Sequence, residues 1–271
     1  MSKTIALLTT EYPPYPGGIA TYTWNIAAAL AAAGHAPTVY VIGPAPASPP
    51  PAGVSVVHVP EPVYSHKRLP FITLKVLRAL KARPADIVFA CDYRLIMALG
   101  WWKRPGKVAG VHGTDVRSKI LTLLGETRLY RALNGFDRVV ANSAFTKAEL
   151  LRHHPYVAPD AVITAPLGVD AFWRTPVAAQ ERDRLLAPLN LPAGNALFIS
   201  IGRIERRKGQ LATVRAVAAL PDDLRRRTTY LVVGREVEAD YAGELREAAA
   251  EAVAAGADVR LVGSLDGDVL R

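Results

Sequence analysis

Residues 198–209 read FISIGRIERRKG, and this stretch decides how the second half of the chain is read. An apolar run, Phe198 to Ile201, ends on Gly202. Arg203 follows at once, and Lys208-Gly209 comes just before the helical run LATVRAVAAL. The pattern predicts a buried strand that delivers two cations and a bare backbone to the start of a helix. Helix starts carry unpaired N–H groups and the positive end of the helix dipole, so they favour anions. A diphosphate is the most economical ligand for such a place, gripped by Arg203 and Lys208 over Gly202. A solvated basic turn is the competing reading, and Arg206 and Arg207 fit it.

Outward from this stretch, short apolar strands alternate with helical segments along the whole chain. Candidate strands lie at 4–10, 37–42, 54–59, 86–90, 107–111, 138–141 and 161–165, with candidate helices at 19–33, 67–82, 93–102, 117–134 and 144–153. Such alternation of near-continuous apolar strands with helices means an α/β chain with a parallel sheet covered on both faces. The segment 171–195 is polar, punctuated by proline and free of strand signal, and reads as an interdomain connection. A second series then begins: strand 197–201, helix 208–220, strand 229–233, helix 238–255, strand 258–262. The expected organisation is a domain over 1–170, a linker over 171–195 and a partial second domain over 196–271. Three strands and two helices make half of a doubly wound sheet. One edge of strand 197–201 therefore lacks a partner from within the chain, and a long apolar unpaired edge is an aggregation hazard.

Half of the 271 residues are hydrophobic and 21% are charged, which supplies real cores and excludes a disordered chain. No apolar run reaches transmembrane length. The start, MSKTIALLTTEY, lacks the long apolar region of a signal peptide, and the single Cys91 rules out an internal disulfide. The cytosol is the default compartment. Residues 1–190 hold 21 Lys and Arg against 12 Asp and Glu, whereas 191–271 hold 12 of each, so the net charge of +9 sits in the first part. Its densest patch is 64–83, YSHKRLPFITLKVLRALKAR, which contains no acid. A basic amphipathic helix of this kind lies on an anionic membrane surface or is an ordinary surface helix with a solvated face. Nucleic acid is disfavoured, because the patch has little aromatic interleaving and belongs to no recognition module.

The first half has its own candidate positions. The first strand runs into TTEYPPYPGGIATYTW, where Gly17 and Gly18 lead into a helix and let a ligand approach the backbone; a plain turn is the alternative. No G-x-G-x-x-G is present, which removes most support for a nicotinamide oxidoreductase, and there is no Walker sequence. Strand 107–111 runs into His112-Gly113-Thr114-Asp115, at the strand end where open α/β sheets bind ligands. Neutral His112 could accept or donate a hydrogen bond to a sugar hydroxyl. Ser143 is a natural helix N-cap as well as a candidate ligand contact. Gly168 and Asp170 stand at the linker, suited to a hinge or cleft wall. No metal-site spacing is visible.

In order along the chain, EYPPYPGGIATYTWNIAAALAAAGH, VHGTD, VVANSAFTKAEL, APLGVD, SIGRIERRKGQLATVRAVAAL and YLVVGREVEADYAGELREAA resemble the retaining glycosyltransferases of family 4. The resemblance implies a GT-B fold of two facing Rossmann-like domains, the second incomplete. It implies transfer of a sugar from a UDP- or GDP-linked donor, with retention and without a metal ion or other cofactor. Arg203 and Lys208 would hold the diphosphate and offset charge on the leaving group. Gly17 and Gly18 would lie against the donor phosphates or the acceptor, and His112 would contact the transferred sugar. Gly234, Val262 and Gly263 would border the nucleotide. Asp115, Ser143, Gly168 and Asp170 would line the remaining cleft. A glycan or lipid-linked acceptor would dock on residues 1–170, as in cell-envelope polysaccharide synthesis, with 64–83 against the inner face of the membrane.

The family's paired glutamates, seven residues apart, lie beyond the second domain's third strand, and Arg271 comes before that region. The expectation is therefore weak donor binding and little transfer by this polypeptide. A nucleotide-sugar epimerase of the same architecture and a non-catalytic module that docks on a membrane or partner are the competing functions.

Overall fold

The computed structural model describes residues 1–15, 17–61, 68–113, 116 and 132–265; Asp115, the start of the basic patch and most of the candidate helix 117–134 lie outside them. Two compact units divide between Gly168 and Val169. The expected boundary stands two residues later, at 170.

The first unit is built on a seven-stranded sheet of β1 (Thr4–Thr9), β2 (Ala36–Gly43), β3 (Ser55–Pro60), β4 (Ile87–Ala90), β5 (Lys107–Val111), β6 (Arg138–Ala141) and β7 (Val162–Thr164). Helices α1 (Gly18–Ala32), α2 (Leu69–Ala82), α3 (Tyr93–Leu99) and α4 (Ala144–His153) belong to the same unit. All pairings are parallel, in the order β3-β2-β1-β4-β5-β6-β7. The order reverses beside β1: β2 and β3 lie to one side and β4 to the other. At such a reversal the loops leaving the two adjacent strands part and leave a crevice at their carboxyl ends.

Burial explains why β1 reads as an unbroken apolar run. Ile5 and Leu7 join Val39, Val41, Phe89 and Ala27 of α1 on one face. Ala6 and Leu8 join Tyr40, Val88 and Ile72 and Val76 of α2 on the other. In α2 the buried positions Ile72, Val76 and Leu80 recur every four residues, so that its apolar stripe is spent on this core.

Lys107 is the unusual member of the core. It is fully buried at the start of β5. Its Nζ donates to the carbonyls of Leu99, the last residue of α3, and of Trp102 just beyond it, and lies 4.6 Å from the centre of the Phe136 ring. Carbonyls at a helix end suit a cation. Burial nevertheless pulls the Lys107 pKa down from 10.5 to about 8, against the opposing pull of Asp137.

In the second unit α5 (Ala171–Arg174) and α6 (Ala179–Leu186) occupy the segment expected as a linker. They are followed by β8 (Ala196–Ile201), α7 (Gln210–Ala218), α8 (Asp222–Arg225), β9 (Thr228–Val233), α9 (Ala239–Ala254) and β10 (Asp258–Gly263). The parallel order is β10-β9-β8, with β9 in the middle. Val214, Val217, Tyr241 and Leu245 from α7 and α9 pack over Tyr230 and Val232. The strand expected to be buried, β8, is instead open: Phe198 is 56% and Ile201 52% exposed. It is an edge strand with no partner on its outer side among the described residues, as its place in half a sheet implies.

Two outcomes follow from these placements. Between pH 8 and 10.5 the unfolded chain holds the Lys107 proton and the folded chain does not, so this group makes stability rise with pH across that window. Thermal unfolding from pH 7 to 10.5 should show wild type gaining on Lys107→Met by on the order of 2–3 kcal/mol; parallel curves would refute the assignment. The open apolar edge of β8 should make the chain self-associate, and light scattering over a concentration series should show Ile199→Lys markedly less associated.

Candidate functional site

At the reversal in the first sheet, the carboxyl ends of β1 and β4 are tied together by Asp92. This fully buried carboxylate accepts hydrogen bonds from the Thr10 amide at 2.8 Å and the Thr10 hydroxyl at 3.0 Å. It also caps α3, accepting from the amides of Arg94 and Leu95 at 2.9 and 3.3 Å. Burial raises its pKa, and the hydrogen bonds and the Arg94 charge oppose that rise. Arg94 donates to the Thr10 hydroxyl at 2.9 Å and pairs with Glu11 at 3.5 Å. The loop after β1 is thereby anchored at its root.

That loop leads to Gly17 and Gly18, which begin α1 with no side-chain cap and no acid in the first turn. A Cβ on Gly17 would lie 2.8 Å from the Glu11 carboxylate, whereas one on Gly18 would meet nothing within 4 Å. Gly17 thus lies against the movable end of the Glu11 side chain, and Gly18 leaves an open surface at the helix start.

His112 follows β5 beside this crevice. Its Nε2 is 2.9 Å from the Cys91 carbonyl oxygen, and Tyr22 meets the ring edge-on with centroids 4.6 Å apart. A carbonyl only accepts, so Nε2 carries the hydrogen of this contact. Burial, seconded by the charge of Asp92, pushes the Cys91 thiol up to about 12, so it stays protonated at neutral pH. Ser143 caps α4, accepting from the Thr146 amide at 3.0 Å, which gives its helix-capping reading a concrete bond. Gly168 is exposed at the end of this unit.

In the second unit Asp170 caps α5, accepting from the Phe172 amide at 2.8 Å. All three strands of the small sheet end on glycine: Gly202, Gly234 and Gly263, each at positive φ. The Gly263 carbonyl accepts from the Gly234 amide at 2.8 Å, and Val262 precedes it within β10. A Cβ on Gly234 would stand 1.8 Å from the Gly202 carbonyl oxygen, so the two strand ends touch backbone to backbone.

The four cations after Gly202 are sorted by their partners. Arg206 is held by Glu244 and lies over the Tyr241 ring. Arg207 pairs at 2.6 Å with Glu205, whose carboxylate is buried. Arg203 reaches the same carboxylate only at 3.4 Å, and its side chain is 53% exposed. An ion pair so long and wet is worth little. Lys208 makes no ion pair or hydrogen bond through its amine among the described residues, and its Cε lies 3.9 Å from where a Cβ on Gly202 would be. Arg203 and Lys208 therefore remain available to an outside anion.

The helix start itself is less available than the sequence implied. Gly209 caps α7 in the left-handed conformation. The Leu211 amide donates to the Tyr241 hydroxyl at 2.9 Å, and those of Ala212 and Thr213 donate to the Gly209 carbonyl. The side chains, rather than a row of free amides, are what this turn offers.

Residues 16–171, more than half of the chain, match the sequence pattern of glycosyltransferase family 4. The chain belongs to this family. The D-inositol 3-phosphate glycosyltransferase of Streptomyces scabiei is 34% identical over 131 residues, 47% of this chain and 28% of that protein. The enzyme of the same name from Nocardiopsis dassonvillei is 40% identical over 116 residues, 41% of this chain and 25% of that protein. The matched segments thus span about a quarter of these relatives. Among solved structures, HepE of Anabaena in complex with UDP and glucose superposes with a TM-score of 0.72 at 20% identity, covering 99% of this chain and 71% of that one. This likeness supports the GT-B fold.

Within that family setting, sequence reading missed Thr10, Tyr22, Cys91 and Asp92 in the first unit and Glu205 and Tyr241 in the second. Cys91 and Asp92 carry a usable signal, since they directly follow an apolar strand. Tyr22 and Tyr241 carry none, because each arrives from a helix by tertiary packing. Among the described residues no group of three or more His, Cys, Asp or Glu side chains is placed to hold a metal ion.

Gly234→Ala should be severely destabilising, since the methyl would overlap a backbone oxygen with nothing flexible to move. Urea unfolding followed by the second unit's helical signal should register a loss of at least about 2–3 kcal/mol. A change below about 0.5 kcal/mol would contradict the strand-end contact.

Proposed function

We propose that this chain binds a nucleotide-diphosphate sugar and serves a retaining, metal-independent glycosyl transfer. The single observation that carries the reading is the pair Arg203 and Lys208. They stand at the carboxyl end of a parallel strand, beside the bare backbone of Gly202, while the neighbouring Arg206 and Arg207 are held by carboxylates. A diphosphate supplies what these two cations lack. When the sugar departs, negative charge grows on the diphosphate, and fixed cations stabilise that charge without reorganising. Gly234, Val262 and Gly263 border the nucleotide in this reading, and Gly17 and Gly18 give the phosphates or acceptor close backbone access.

His112 is the group proposed to touch the transferred sugar. Its Nε2–H is committed to the Cys91 carbonyl, which fixes the ring beside the crevice. The Asp92 latch acts at one remove by fixing the loop that carries Gly17. UDP is the first donor base to test, given HepE, and GDP the second. The acceptor in this reading is a glycan or lipid-linked molecule at the cytoplasmic face of a membrane. The names of the inositol-phosphate relatives add a phosphorylated polyol to the acceptors worth testing.

Calorimetric titration with UDP and with GDP is the direct test. Arg203→Ala and Lys208→Ala should each weaken binding of the preferred nucleotide by about 10- to 100-fold. Arg227→Ala, an exposed cation away from the turn, should leave it within about twofold. His112→Ala should keep nucleotide affinity and lower further the weak transfer expected of this polypeptide. No binding of either nucleotide, or equal affinity across the cation variants, would remove the basis of the proposal.

A further inference from the structure

A second concave place lies at the other end of the first sheet. The turn after α3 and the turn before β6 enclose a pocket of about 410 Å³, lined by Gly100, Trp101, Lys103, Arg104, Asn134 and Gly135. That volume is in the range of small-molecule sites. Its residues precede β5 and β6, so it sits at the amino ends of these strands. The crevice beside His112 lies at their carboxyl ends. The five residues of β5 separate the two, about 15 Å at the rise of a strand.

Buried groups build this pocket. A Cβ on Gly135 would stand 1.9 Å from the Gly100 carbonyl oxygen, and one on Gly100 2.3 Å from the Ala132 Cα, so the two turns meet backbone to backbone. The buried Lys107 bonds the carbonyls of Leu99 and Trp102, on either side of Gly100 and Trp101. Arg104 donates through Nη2 to the carbonyls of Ala85 and Asp86 at 2.6 and 3.2 Å, and through Nε to that of Pro105 at 2.9 Å. The turn is thus held from beneath, and its other side chains face solvent: Trp101 is 67% exposed, and Lys103 is exposed beside it. The Lys103 amine and the Asn134 amide have no hydrogen-bond partner among the described residues. No acid lines the pocket. Asp86 and Asp137, the carboxylates nearest along the chain, are bonded to Thr4 and to the Lys107 amide.

We propose that this pocket binds an acidic saccharide, a pyranose that carries a carboxylate or a phosphate. A pyranose has a flank of C–H bonds, which suits the electron-rich face of the Trp101 indole. Its hydroxyls both donate and accept, as the Asn134 amide does. Its acid group answers Lys103 and Arg104, two cations with no carboxylate among the lining residues to neutralise them. A nucleobase is served less well, because the lining offers a single ring and a single amide to read its edge. The pocket is separate from the turn at Arg203 and from the crevice at His112. The inference therefore goes beyond the sugar-transfer reading and does not rest on it: it gives the chain a second hold on an acidic glycan, away from the reacting end.

The experiment is equilibrium dialysis of the full chain against tetragalacturonate, cellotetraose, inorganic phosphate and UDP. At low salt tetragalacturonate should bind at least about tenfold more tightly than cellotetraose or phosphate, and high salt should shrink that preference. Trp101→Ala and Lys103→Ala should each weaken its binding about tenfold, and Asn134→Ala by less. Trp101→Phe should restore part of what Trp101→Ala loses. Trp173→Ala and Arg227→Ala, an exposed ring and an exposed cation elsewhere, should leave binding within about twofold. UDP should behave alike with wild type and Trp101→Ala, whether the Arg203 turn holds it or not. The replaced side chains are exposed, and circular dichroism checks that each variant is folded. Failure of tetragalacturonate to bind, equal binding of cellotetraose, or loss of UDP binding in Trp101→Ala would overturn the proposal.

Discussion

The two-sided burial of β1 is the constraint from which the first unit follows. A strand apolar on both faces needs a helix layer above and below and neighbours on both edges, which only a parallel, doubly covered sheet supplies. Once β2 and β3 lie on one side and β4 on the other, the crevice at their carboxyl ends is unavoidable. Thr10, Glu11, Cys91 and Asp92 stand there because they are the next residues along the two strands. Asp92 then makes the crevice rigid by bonding the far wall to the near one.

The second unit reaches a similar result by backbone contact. Gly202 and Gly234 let two strand ends meet, and the chain leaving β8 bends at Gly202. Glu205, buried next to that turn, discriminates among the cations around it. It holds Arg207 closely and Arg203 loosely, and Lys208 is left out. A site for an anion needs positive charge that the protein has not already neutralised. The arrangement meets that requirement at two positions and removes it at the others.

Much of this was legible in the sequence. The strand–helix alternation, the glycine at each strand end of the second series and the cations beside Gly202 are local patterns, and all appear at or near their expected positions. The open edge of β8 could also be inferred, because three strands of half a sheet leave one side bare. The exposure of β8 was harder to foresee. ALFISI looks like a buried strand, and only its edge position denies it cover. The segment 171–195 holds helices that the sequence did not announce, since a polar helix with no buried residues, such as α6, leaves no apolar signal.

The sequence alone determined which residues could carry charge and which segments had to be buried, since periodicity and side-chain chemistry are properties of a stretch of chain. It could not determine which cations were free, which ring nitrogen of His112 was committed, or which side of α2 faced outward. Those depend on partners far away in the chain: Glu244 for Arg206, Cys91 for His112, and β1 and its neighbours for Ile72 and Val76. Only the tertiary structure brings such partners within bonding distance, and charge and hydrogen-bonding capacity are spent at short range.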